Sequence, residues 1–162
     1  MTATEMRRAV AVHPRDQWPE DSTVDTVTLT FLDRHRRRIR LVADSGEAFL
    51  LDLPHTRHLA EGDGLELDNG RYIRVHAAPE PVVEIETADR ESLLRIAWHL
   101  GNRHLPLQVV GGCLRIRDDH VIADMVSGLG GRITRHEAPF DPEFGAYTGF
   151  AGDHHAGHGT SA

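Results

Sequence analysis

Twelve histidines and a single cysteine, Cys113, in 162 residues set the chemistry open to this chain. Neutral imidazole nitrogens bind borderline divalent ions such as Ni(II), Zn(II) and Cu(II), whereas one thiol can build neither an internal disulfide nor a zinc-finger cluster. Any metal must therefore be held by imidazole and carboxylate. The densest donor group lies in GFAGDHHAGHGTSA (149–162), where Asp153, His154, His155 and His158 share a Gly-rich segment that can wrap an ion without a preformed pocket. These histidines are interrupted by Ala and Gly, unlike the consecutive run of an expression tag. Ordering such a segment costs conformational entropy with every ligand engaged, so the expected binding is weak and exchangeable.

Two further histidines stand at predicted element ends. His104, in LGNRHLPLQ (100–108), falls between a helix end and a strand start, where a lone imidazole can cap, pack or ligate. If two copies pair about a two-fold axis near it, one residue per chain supplies two facing imidazoles. His120 follows Asp118 and Asp119 at a helix start, so the aspartates either cap the helix or join His120 as an auxiliary donor group. His13, His35, His55, His58, His76, His99 and His136 are scattered and read as surface or packing residues.

Catalytic patterns are missing from the sequence: there is no GxSxG elbow, no HExxH pair, no phosphate loop and no lysine at all. Cys113, beside apolar residues, reads as a buried inert thiol. A net charge of -7 argues against a nucleic-acid partner. The Arg34 to Arg40 cluster is then the solvated face of a strand whose Ile39 and Leu41 point inward, or a patch for an acidic partner. With no long apolar run and no signal-peptide core, the expectation is a cytoplasmic protein without a membrane partner.

The elements that must position these groups fall into an α+β arrangement. TVTLTF (26–31), RRRIRLVA (36–43) and EAFLLDLP (47–54) alternate as strands, and Asp68-Asn69-Gly70 turns LELD into RYIRVHA. Residues 1–78 thus read as a small all-β domain. Pro79 and Pro81 suggest a linker and a domain boundary, because closely spaced prolines do not suit a central strand. Beyond it come VVEIET as a strand and DRESLLRIAWHLGN as a helix, with Leu93, Ile96, Ala97 and Leu100 on one face and Gly101 as its stop. LPLQVV and CLRIRD form a hairpin through Gly111-Gly112. Asp118 or Asp119 then caps HVIADMVSGL, and GRITRHEAPF closes the unit as a strand. The order βαββαβ over 79–148 predicts a ferredoxin-like domain with two helices on one sheet face, followed by a disordered histidine-containing tail, 149–162.

HLGNRHLPLQ, DDHVIADM, PFDPEFGAY and a histidine-bearing tail, in that order and spacing, resemble the UreE family of urease accessory proteins, which are nickel metallochaperones. DSGEAFLLDLP followed by EGDGLEL extends the likeness, more diffusely, into the amino-terminal half, while HTRH (55–58) stands where a shorter Arg-Gly-type turn is usual. The resemblance implies a non-enzymatic homodimer joined through the ferredoxin-like domains, delivering Ni(II) for assembly of the urease active site. It implies His104 of each protomer as the shared nickel ligand and His154, His155 and His158 as the ligands that complete or shield the site. Of a second histidine cluster found in some members only His120 is present, with Asp118 in place of a histidine. The implied partners are the urease accessory GTPase and the apo-urease accessory complex, and Zn(II) and Cu(II) are competitors for the same site. The other reading is a protein-interaction module of an assembly complex in which metal binding is incidental.

Overall fold

The computed structural model describes residues 5–143. Its first layer follows from alternation of apolar and polar residues, which gives each strand one buried face. Strands β1 (Arg7–His13), β2 (Thr23–Leu29), β3 (His35–Val42), β4 (Ala48–His58), β5 (Gly64–Leu67) and β6 (Tyr72–Ala77) form a curled six-stranded sheet in the order β2-β6-β5-β1-β4-β3. Val27, Leu41, Phe49, Leu51, Leu65, Leu67, Ile73 and Val75 fill its core. The β5–β6 turn is the hairpin expected at Asp68-Asn69-Gly70, with Gly70 at φ +79° and its N–H donating to Leu67 O at 2.9 Å. Sequence patterning missed β1, whose RRAVAVH pairs parallel to β4 and antiparallel to β5. HTRH is no turn, because β4 continues through it to His58; Leu53 to Thr56 bulge out opposite Arg37 alone, which takes Pro54 out of the regular ladder.

Only Ala78 separates β6 from β7 (Pro79–Glu86), so the two prolines form no linker. They lie in an interior strand of the second sheet, which is a correction with a local cause. Pro81 O accepts from Asp118 N at 3.0 Å, so the backbone groups of Pro81 face β9 (Cys113–Arg117), whose ladder with β7 begins only at Val82. The missing N–H thus costs no regular ladder bond. β7, α1 (Arg90–Asn102), β8 (Gln108–Val110), β9, α2 (His120–Gly128) and β10 (Arg132–Pro139) complete the expected ferredoxin-like unit, an antiparallel sheet of order β10-β7-β9-β8.

Both helices lie on one face of this sheet, where Ile96 and Leu100 of α1 and Ile122 and Val126 of α2 pack on Val83, Ile85, Leu114 and Ile116. The opposite face carries Glu84, Glu86 and Arg115, with Arg115 bridging to Glu84 at 2.5 Å. Cys113 belongs to that polar face rather than to an apolar core: its Sγ lies 3.6 Å from Glu86 Oε1. Burial and the neighbouring carboxylate push its thiol above the ordinary value, which disfavours the thiolate. Among the described residues no helix is long and apolar enough to cross a membrane.

Candidate metal centre

The geometry around His104 starts with how α1 ends. Gly101 is not the stop; it lies inside the helix, and the chain turns two residues later. His104 N donates to Gly101 O at 3.0 Å and Leu105 N to Leu100 O at 3.2 Å, which satisfies two of the terminal carbonyls. This closure needs a left-handed residue, and His104 takes it with φ +57°. Glycine usually fills that position, since a β-carbon there costs roughly 1 kcal/mol or more. Leu105 then packs, partly buried, against the core cluster that contains Leu100, while His104 itself is exposed. The turn is pinned on its apolar side and presents the imidazole to solvent.

His120 is the first residue of α2 and is also exposed. Of the two candidate caps, Asp119 is the one used: its Oδ1 accepts from Val121 N at 2.9 Å and Ile122 N at 3.2 Å. Asp118 instead meets Arg135 at 3.3 Å. Both carboxylates are thus engaged in structural contacts beside His120. A shallow cleft of about 180 Å³ lined by Leu105, Pro106, Ile116, Asp118, Asp119 and Ile122 brings the segment after His104 and the one before His120 to one end of the unit. Among the described residues no three His, Cys, Asp or Glu side chains come together as a metal site. His154, His155 and His158 lie outside the described residues.

Three other histidines pair with carboxylates. His13 meets Glu66 at 2.6 Å, His76 meets Glu61 at 2.9 Å and His136 approaches Glu84 at 3.6 Å. His58, opposite His35 across the β3–β4 ladder, is pushed down to about 4 by burial and by the positive charge of Arg34.

Arg34 itself departs most from expectation. Sequence patterning placed it in a solvated cluster, yet it is completely buried at the junction of the two sheets. A short 3₁₀ turn, Leu32–Arg34, aims its guanidinium at Leu59 O (3.1 Å), Asp141 Oδ1 (3.2 Å) and Phe140 O. Asp141 Oδ1 also accepts from Glu61 N at 3.3 Å. On the far side Asp141 N donates to Gln108 Oε1 at 3.1 Å and Glu143 N to Leu107 O at 2.8 Å. Phe140 is fully buried, its ring edge-on to Phe31 at 5.4 Å, and Arg117 sits 4.7 Å above the Phe31 ring. The start of PFDPEFGAY is therefore wedged between the amino-terminal sheet and the loop leading from His104 into β8. The motif was visible in sequence, but its grip on Arg34 was not, since the two partners lie 107 positions apart.

Comparison with known proteins matches both halves of the chain. Residues 6–78 match the family model described as UreE urease accessory protein, N-terminal domain, and residues 80–162 match that of the UreE C-terminal domain. A protein named urease accessory protein UreE from Rhodopseudomonas palustris (strain HaA2) is 58% identical over 142 residues, which cover 88% of this chain and 66% of that protein. Proteins of the same name from Beijerinckia indica and Rhodobacter capsulatus are 51% and 46% identical, covering 93% and 88% of this chain and 86% and 87% of their own lengths.

Proposed function

We propose, for a chain that belongs to the UreE family of urease accessory proteins, that its part in urease maturation is to carry and deliver Ni(II) through His104. As a urease accessory protein it is not an enzyme. The observation that carries the nickel reading is the exposed imidazole of His104 on a turn that would be easier to close with glycine. A position that retains a strained side chain at solvent, with no partner for it among the described residues, is better explained by a ligand than by packing.

One imidazole does not hold a divalent ion, so the site needs a second chain or the carboxy-terminal histidines. A homodimer is supported by the apolar residues that α1 leaves at solvent: Leu94 and Trp98, one turn apart, are 60% and 63% exposed. Pairing α1 with its copy would cover them and bring two His104 side chains toward one axis. His154, His155 and His158 then complete or shield the ion, with His120 as an auxiliary ligand. Domains of 1–78, 79–148 and 149–162 serve as scaffold, dimer and metal unit, and donor tail.

An all-imidazole and water shell lacks thiolates and leaves Ni(II) exchangeable, as a delivery protein requires. Zn(II) and Cu(II) compete for the same nitrogens. Release goes to the urease accessory GTPase and the apo-urease accessory complex by ligand exchange. Titration of the protein with Ni(II), beside His104→Ala, tests the reading. One ion per dimer that disappears with His104→Ala supports it. Unchanged stoichiometry and affinity would reject it in favour of an interaction module with incidental metal binding.

A further inference from the structure

We propose that β10 pairs along its open edge with β10 of a second copy, antiparallel and centred on His136, as an interface separate from α1. Strand ladder and charge pattern carry this pairing, independently of the nickel reading.

β10 is an edge strand of eight residues, six of them exposed, and among the described residues its one ladder is with β7. The backbone groups left open on it follow from β7. Pro81 O accepts from Asp118 N, so the odd-numbered residues of β7 turn their backbone groups to β9, and Val82, Glu84 and Glu86 turn theirs to β10. Their partners His136, Thr134 and Arg132 are therefore bonded inward, which leaves the N–H and C=O groups of Ile133, Arg135 and Glu137 along the open side. Such a row is a template for another strand, and charged side chains commonly blunt it.

On β10 the charges also select a partner. A two-fold axis between adjacent antiparallel strands stands perpendicular to the sheet, so side chains keep their face and one residue lies opposite its own copy. Centring on Arg135 sets two guanidiniums opposite each other, and centring on Glu137 sets two carboxylates there. Centring on Ile133 or Thr134 brings no opposite charges together. Centring on His136 sets Arg135 of each chain opposite Glu137 of the other, and these are residues whose backbone groups lie open. Each such pair exchanges both of its N–H···O bonds. Arg135 also meets Asp118 at 3.3 Å, and its five donors can serve both carboxylates. His136 meets its copy on the polar face, where Glu84 stands 3.6 Å from each imidazole.

The test is disulfide crosslinking of the full, metal-free chain in a Cys113→Ser background, with diamide as oxidant and a non-reducing gel as readout. His136→Cys should crosslink to a dimer, because opposite residues of a non-hydrogen-bonded pair have Cα atoms about 4.5 Å apart, which suits a disulfide. Thr134→Cys should not, since its own copy stands about 14 Å away in this register. Within the His136→Cys chain, Glu137→Arg should slow crosslinking about tenfold by setting like charges opposite each other, and adding Arg135→Glu should restore the rate to within about threefold. Should His136→Cys fail to fold, a mixture of Thr134→Cys and Ala138→Cys chains replaces it, because those two positions are opposite in the same register. A folded His136→Cys chain that stays monomeric on the gel would overturn the pairing. So would a dimer formed through Thr134→Cys alone, a rate that ignores Glu137→Arg, or a double swap that stays slow.

Discussion

The two helices of the ferredoxin-like unit end in the same hydrogen-bond pattern with different residues at its critical point. After α2, Gly130 N donates to Ser127 O and Gly131 N to Val126 O, with Gly130 at φ +90°. After α1, His104 and Leu105 make the equivalent bonds to Gly101 and Leu100, with His104 at φ +57°. At the following position the α2 end has Gly131, where a β-carbon would lie 2.5 Å from Val126 Cγ1, and the α1 end has Leu105, partly buried against the core. One chain thus closes the same turn twice, once in the easiest way and once at a cost. Under the proposed nickel reading the difference has a purpose: glycine closes the turn where only geometry is required, and His104 stands where an imidazole at solvent would serve as a ligand.

The largest effect should come from removing that side chain. In the proposed homodimer His104→Ala would take one Ni(II) ligand from each protomer. Calorimetric titration should show the Ni(II) affinity falling about a thousandfold, roughly 4 kcal/mol, with the far-ultraviolet spectrum unchanged. Gly130→Ala, the control at the other helix end, should leave the isotherm intact. If the two variants bind alike, the contrast between the two turns has no functional meaning.

A buried histidine makes the opposite case to the exposed one. His58 is held near 4 against an ordinary value of 6.5, by burial first and then by Arg34, with Asp141 opposing and His35 adding to the shift. Its neutral form is therefore favoured in the fold. Between those two values the unfolded chain binds more protons than the folded one, so stability is lost as pH falls from about 6.5 towards 4 and is fully present above that window. Unfolding free energies from urea titrations at pH 7 and pH 4.5 should differ by about 2 kcal/mol from this group, and His58→Phe should flatten that dependence. A slope unchanged by His58→Phe would assign the acid sensitivity elsewhere.

Much of this arrangement was legible in the sequence alone, for local reasons. The Asp68-Asn69-Gly70 and Gly111-Gly112 turns, the apolar stripes of α1 and α2 and the βαββαβ order are short-range signals, and each appears where patterning put it. The misses depend on distant partners. Pro79 and Pro81 look like a linker until Asp118 is found bonding Pro81 O, and Arg34 looks solvated until Phe140 and Asp141 close over it. The site divides the same way. His104 could be singled out by type and motif, but its left-handed backbone could not, since a glycine three residues earlier offered a more obvious helix stop.

Smaller effects sharpen the comparison further. His104→Gly removes the left-handed penalty but adds unfolded-chain entropy, so the net gain should be about 0.5–1 kcal/mol, a rise of ~1–4 °C in Tm. Gly130→His reverses the substitution at a position where no atom stands within 4 Å of a new β-carbon, so only backbone strain opposes it. The expected loss is of the same size, about 0.5–1 kcal/mol. The double swap should then restore the parent's stability to within roughly 0.5 kcal/mol, as distant independent sites do. It would carry a histidine on the same kind of turn and still fail to bind Ni(II) at the shared site. Restored stability with absent binding would show that the left-handed turn is interchangeable and that its place after α1 is what matters. Restored binding would mean that any exposed histidine on this surface suffices, and the strained turn after α1 would then mark no site.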